Sequence, residues 1–130
     1  MIVGVGIDLV EVARVRRLLE RYGERFLKRI YLPEEISYAL SRKDPAPSLA
    51  ARFAAKEAFI KAFPARASLV EVGVGFSGEK PVLVLKGKTA ERARALGLSP
   101  LLSLSHERGL AAAVVILTRS LDLKSSAPSP

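Results

Sequence analysis

Arg52-Phe53-Ala54-Ala55-Lys56-Glu57-Ala58-Phe59-Ile60-Lys61-Ala62-Phe63 reads as one helix with most of its surface apolar. At 100° per residue, Ala54, Ala55, Ala58, Phe59, Ala62 and Phe63 cover a broad arc, the pattern of a helix buried among neighbours. Lys56, Glu57 and Lys61 occupy the remaining side, with Phe53 and Ile60 among them. Charges on a face that also carries large apolar residues are costly to bury unless they are paired or bind something. One carboxylate flanked by two ammonium groups suits a metal-bridged phosphate, the carboxylate holding the cation and the lysines the phosphate oxygens. The same spacing also admits a plain surface ion pair, since Glu57 and Lys61 stand i, i+4 with Glu first.

Outward from that helix, the N-terminal run Ile2 to Val10 reads as a strand that Gly4 and Gly6 thin for close backbone approach. Asp8 interrupts its apolar pattern, either as a functional carboxylate or as an N-cap for the next helix. From about Glu11 the pattern turns helical. Val12, Val15, Leu19 and Tyr22 share one face, and Arg14, Arg17, Arg21 and Arg25 line another. Acidic residues hardly interrupt that arginine stripe, which favours docking of an acidic partner over a merely solvated face.

Further along, Pro33 to about Ser41 reads as a short helix, and Arg42 to Ser48 as a loop rich in proline. The long helix ends near Phe63-Pro64. Leu69 to Phe76 and Pro81 to Lys86 alternate as strands about a turn at Ser77-Gly78-Glu79-Lys80. Thr89 to Leu96 is a helix that Gly97 stops, and Leu101 to Ser105 with Leu110 to Thr118 forms a closing hairpin. This order predicts an α+β fold, a mainly antiparallel sheet packed against a long central helix. One domain spans 1–119, and a disordered tail is expected over 120–130.

Together the segments resemble a family. Gly6-Ile7-Asp8, with Glu11 and Arg14 after it, is similar to the first signature of the phosphopantetheinyl transferases. Arg52 to Ala58 with Lys61-Ala62 is similar to the second. Phe26 to Leu40 resembles the family's connecting segment, and Ser103-Leu104-Ser105-His106-Glu107 with Ala111 to Val115 its C-terminal hairpin. The likeness covers roughly residues 1–119 and is to the short bacterial type. The chain departs from it at Phe63-Pro64-Ala65-Arg66-Ala67-Ser68, where relatives carry glycines.

The resemblance implies transfer of the phosphopantetheine arm of coenzyme A to a serine of an apo acyl carrier protein, with Mg²⁺ as cofactor. It implies Asp8 and Glu57 as metal ligands, Glu57 and Lys61 as catalytic groups, and Arg52, Lys56, Lys61 and His106 as contacts to coenzyme A. Arg14, Arg21 and Arg25 would face the carrier protein. It also implies a homotrimer with active sites between subunits.

Composition sets bounds on this. The chain has 130 residues and a net charge of +8, which points to an anionic partner. A small basic nucleic-acid-binding module is the alternative, but its eight Phe and Tyr are not interleaved with basic residues as a base-stacking platform needs. No apolar run is long enough to span a membrane. The start lacks a signal-peptide pattern and cysteine is absent, so a cytoplasmic location is the default expectation. Three motifs mislead. Gly73-x-Gly75-x-x-Gly78 leads into a strand where a dinucleotide fingerprint opens a helix, and Gly87-Lys88-Thr89 lacks the first glycine of a phosphate loop. Ser105 and His106 are neighbours on a strand and face opposite sides, so they cannot act as nucleophile and base.

Overall fold

Alternation of Val and Ile with Gly and Asp makes Ile2–Glu11 an extended strand, β1, in the computed structural model, which describes residues 1–120. It is followed by helices α1 (Val12–Tyr22), α2 (Glu24–Ile30), α3 (Pro33–Leu40) and α4 (Ala46–Ala62). A 3-10 turn (Leu69–Glu71) leads to β2 (Val72–Ser77) and β3 (Lys80–Leu85), then α5 (Gly87–Ala95), β4 (Leu98–Glu107) and β5 (Leu110–Arg119). The fold is α+β, and every strand pairing is antiparallel. The strands divide into two sheets, a three-stranded one ordered β1-β5-β4 and the hairpin β2-β3.

Several boundaries differ from the sequence reading. α4 starts at Ala46, so Pro47 and Ser48 lie inside its first turn. Proline is tolerated there because the first amides of a helix lack intrahelical partners in any case. The arginine stripe breaks at Gly23, whose φ of 55° ends α1, so Arg25 belongs to α2. Residues 69–71 tighten into a 3-10 turn where a strand was expected. The β4-β5 hairpin is longer than expected and turns through Arg108 and Gly109, both at positive φ. The expected tail lies outside the described residues but for residue 120.

α4 is the centre of the core. Leu49, Ala50, Ala54, Ala55, Ala58 and Phe59 are wholly buried in one core with Ala111, Val115 and Leu117 of β5, the strand on which α4 packs. Phe59 stacks on Phe63 at 4.8 Å. The opposite face of the sheet is bare. Val5, Ile7, Leu9 and Leu101 are each about 60% exposed. By register Val5, Ile116 and Leu101 form one row across all three strands.

Candidate active site

The site is built by two glycines. On β1, Gly4 and Gly6 face α4 so closely that a side chain on either would run into helix backbone. A β-carbon on Gly4 would meet the Ala62 carbonyl, and one on Gly6 the Ala58 carbonyl and, at 3.1 Å, the Ala62 amide nitrogen. Strand and helix therefore touch backbone to backbone. Period-two alternation then puts Asp8, two residues beyond Gly6, on the α4 side of the sheet.

Lys61 reaches it there. Its ammonium donates to the Asp8 carboxylate at 2.9 Å and to the Ile7 carbonyl at 2.9 Å. A helical side chain leans toward the N-terminus of its helix, so Lys61 lies back over the turn that carries Glu57. Phe53, Glu57 and Ile60 are half-buried and Lys61 is exposed, so beyond its first turn these four form the open stripe of the helix. Among the described residues Glu57 has no ion-pair partner, and the i, i+4 pair with Lys61 does not form. Ile7, Asp8, Leu9 and Lys61 line a shallow open recess. Asp8 caps no helix: α1 begins after Glu11, and its first amide, that of Val12, donates to the Gly109 carbonyl.

Lys56 is a correction to the sequence reading. It does not share the face of Glu57 and Lys61; it is wholly buried. Its ammonium donates to Glu35 at 2.5 Å, to the Leu69 carbonyl at 3.1 Å and to the Val72 carbonyl. With three protein acceptors and no exposure, it is not available to a phosphate. Burial pushes its pKa down, and Glu35 opposes that shift. Arg52 is also buried, at 5% exposure. It donates to Ser48 Oγ at 2.7 Å, and its guanidinium lies 4.4 Å from the centre of the Tyr38 ring and 5.8 Å from that of Phe76. Among the described residues its Nε has no hydrogen-bond partner, and it stands 4.0 Å from Glu35. Sequence reasoning missed Glu35 as the partner of both cations. It lies in the stretch read as a short helix and as the family's connecting segment, and neither reading marks a buried carboxylate.

His106 is exposed on β4. It pairs with Ala111, which pairs with Val10, so it is on the same face of the sheet as Asp8 but two strands across and one row along. At strand spacing that is roughly 12 Å, so one chain does not bring His106 against Asp8. The glycine-free loop 63–68 is pinned from outside: the Ser68 amide donates to Thr89 Oγ1 at 3.3 Å and Arg92 to the Arg66 carbonyl at 3.1 Å. The start of α5, where the imitation phosphate loop lies, is filled by Glu71. Its carboxylate accepts from the Lys88 and Thr89 amides and the Thr89 hydroxyl.

Arg14, Arg17, Arg21 and Arg25 are all exposed. Although Gly23 separates their helices, Arg21 and Arg25 both lie over the Tyr22 ring, at 5.4 and 6.0 Å. Tyr22, Arg25, Phe26, Lys28 and Arg29 line an open basic pocket where α1 meets α2.

Comparison with known proteins agrees with this architecture. Residues 4–114 match the model of the 4'-phosphopantetheinyl transferase superfamily. The chain is 55% identical over 117 residues to a holo-[acyl-carrier-protein] synthase of Thermus thermophilus, covering 90% of this chain and 94% of that one. It is similar to the crystal structure of the Neisseria meningitidis holo-[acyl-carrier-protein] synthase, with a TM-score of 0.84 and 34% identity over 92% of this chain and all of that one. It also resembles the Bacillus anthracis synthase solved with CoA (3',5'-ADP), with a TM-score of 0.76 and 31% identity over 92% of this chain and 99% of that one. A match over most of its length, with Gly6 and Asp8 on one strand facing the helix that carries Glu57 and Lys61, places the chain in the 4'-phosphopantetheinyl transferase superfamily.

Proposed function

We propose that this chain is a holo-[acyl-carrier-protein] synthase that moves the phosphopantetheine arm of coenzyme A onto a serine of an apo acyl carrier protein. The observation that carries the reading is the meeting of Asp8 and Lys61, 53 positions apart, beside the open stripe that bears Glu57. The serine oxygen forms a bond to the pantetheine-side phosphorus of the pyrophosphate. The bond from that phosphorus to the bridging oxygen breaks, adenosine 3',5'-bisphosphate leaves, and the serine proton passes to a base. Catalysis of this kind is positioning and charge neutralisation. Lys61 neutralises the phosphate being transferred. Glu57, without an ion-pair partner among the described residues, accepts the proton directly or through a water.

Mg²⁺ fits the residues present. The Asp8 carboxylate and the Ile7 carbonyl already point at one cationic centre, the Lys61 ammonium. Among the described residues no cluster of three or more metal-ligating side chains exists. Two carboxylates, Asp8 and Glu57, leave room for the waters and substrate phosphates that this hard cation keeps. When bound, it supplies charge stabilisation to the pyrophosphate.

Arg52 and His106 contact the nucleotide half of coenzyme A. The distance of His106 from Asp8 suits the far end of an extended molecule. Arg14, Arg21 and Arg25 dock the acidic carrier, supported by their exposure and by the basic pocket beside Tyr22. The bare row Val5-Ile116-Leu101 supports assembly into a homotrimer, with active sites between subunits, since an exposed apolar patch of this kind marks an interaction surface. Among the described residues no helix is long and apolar enough to cross a membrane, and a cysteine-free chain suits a cytoplasmic setting.

The test incubates the protein with coenzyme A, Mg²⁺ and apo carrier protein and weighs the carrier. A gain of one phosphopantetheine is expected; an unmodified carrier overturns the reading.

A further inference from the structure

We propose that Glu35 is a positioning residue for this transfer: through Lys56 and Arg52 it sets the rotation of α4 about its axis, and so the aim of Glu57. The inference rests on the transfer reaction proposed above.

Glu35 is 1% exposed and is the point where four elements meet. It opens α3 by accepting from the Leu32 amide at 2.9 Å and holds β2 through the Val74 amide at 2.9 Å. It takes the Lys56 ammonium of α4, which also binds the 3-10 turn through the Leu69 carbonyl. Gly73 leaves the room. A β-carbon there would run into Leu32 and come to 3.4 Å of the Glu35 carboxyl carbon.

Apart from the close approach of Gly6 to Ala58, the middle of α4 has mostly small buried side chains to fix its rotation. Between its two large, fully buried apolar side chains, Leu49 and Phe59, the buried apolar surface of α4 is alanine: Ala50, Ala51, Ala54, Ala55 and Ala58. Methyl groups are small knobs, so this stretch adds little to fixing one rotation, and uniform packing under-specifies a single arrangement. A buried ion pair adds little net stability but penalises every arrangement that separates it. Arg52 and Lys56, one turn apart, both face Glu35. Glu57 follows Lys56 by 100° of helix. A carboxylate roughly 6 Å from the axis moves by about 2 Å for a 20° turn, and about 1 Å of misplacement can cost a hundredfold in rate.

The experiment compares the parent with E35Q, K56M and the apolar double variant E35L/K56M. It reads melting temperature, kcat, KM for coenzyme A, and amide hydrogen exchange along α4. The single variants should lower both melting temperature and kcat. The double should melt no higher than the single variants, because the Leu32 and Val74 amides and the Arg52 guanidinium lose their acceptor, while kcat stays about 10- to 100-fold down, KM for coenzyme A moves less, and exchange across residues 54–61 is faster. Parental kcat in the double overturns the proposal. Because the double is itself destabilised, E35Q assayed well below its own melting midpoint decides: a parental kcat there overturns it, and a loss with little change in KM supports it. A parent that transfers nothing overturns the assigned reaction instead.

Discussion

Gly6 of β1 lies directly against Ala58 of α4, with no side chain between the strand and the helix backbone. That contact sets the distance from which Lys61 reaches Asp8. A methyl group at Gly6 would run into the Ala58 carbonyl, which is backbone and cannot rotate away. Gly6→Ala should therefore destabilise the fold by about 1–3 kcal/mol, the usual cost of overpacking. It should also slow transfer by pushing α4 off the strand. Thermal melting and the carrier assay check this; an unchanged pair of values would refute the close approach.

Asp8 and Glu57 should fail together. Asp8→Asn and Glu57→Gln are each expected to abolish most turnover, and the double variant should be little worse than either, because one lost ligand dismantles the same site. Folding should survive. The Asp8–Lys61 pair is half-exposed, so losing it should cost no more than about 1 kcal/mol. Mg²⁺ should raise the melting temperature of the parent with coenzyme A present, and do so much less in either variant. Near-parental rates in both variants would remove these residues from the site.

Arg14 is exposed on α1 and has no ion-pair partner among the described residues, whereas its neighbour Arg16 is paired with Asp44 at 2.6 Å. Arg14→Glu should raise KM for the carrier protein strongly and leave coenzyme A binding nearly intact. Added salt should weaken carrier binding in the parent by screening. Equal loss of coenzyme A affinity would sink the docking assignment.

The bare sheet face gives an assembly test. Val5 and Leu101 lie in one exposed row, so Val5→Glu places a charge within any surface buried there. Sedimentation equilibrium should give a trimer for the parent and a smaller species for the variant. A fully active monomeric parent would rule out sites shared between subunits.

Stability should fall in acid, and the direction follows from three carboxylates. Hydrogen bonding to Thr89 holds Glu71 below its ordinary pKa, and bonds to Lys86 and Arg16 do the same for Glu34 and Asp44. Each group binds protons more weakly folded than unfolded. Its contribution is therefore present above the ordinary carboxylate pKa and is lost as pH drops through the lowered value. Glu71→Gln should melt lower than the parent near neutral pH, and the difference should shrink as the pH falls below about 4. A constant difference down to strong acid would contradict the Glu71 cap.

The α+β class, the element order and the two signature segments were legible in the sequence because they rest on local information. An apolar run thinned by glycines marked β1, alternation marked the strands about the turn at 77–80, the glycine pair marked a close approach, and proline and glycine marked the breaks. Which charges lie open was not legible. Lys56 and Glu57 are adjacent and read alike, yet one is wholly buried and the other half-open. Periodicity gives angles around a helix; it does not say what stands at each angle. Glu35, 21 positions before Lys56, turns one cation into a core group, and Asp8, 53 positions before Lys61, claims the other. Those choices depend on desolvation and pairing between distant segments, and only the packed chain brings such partners within reach.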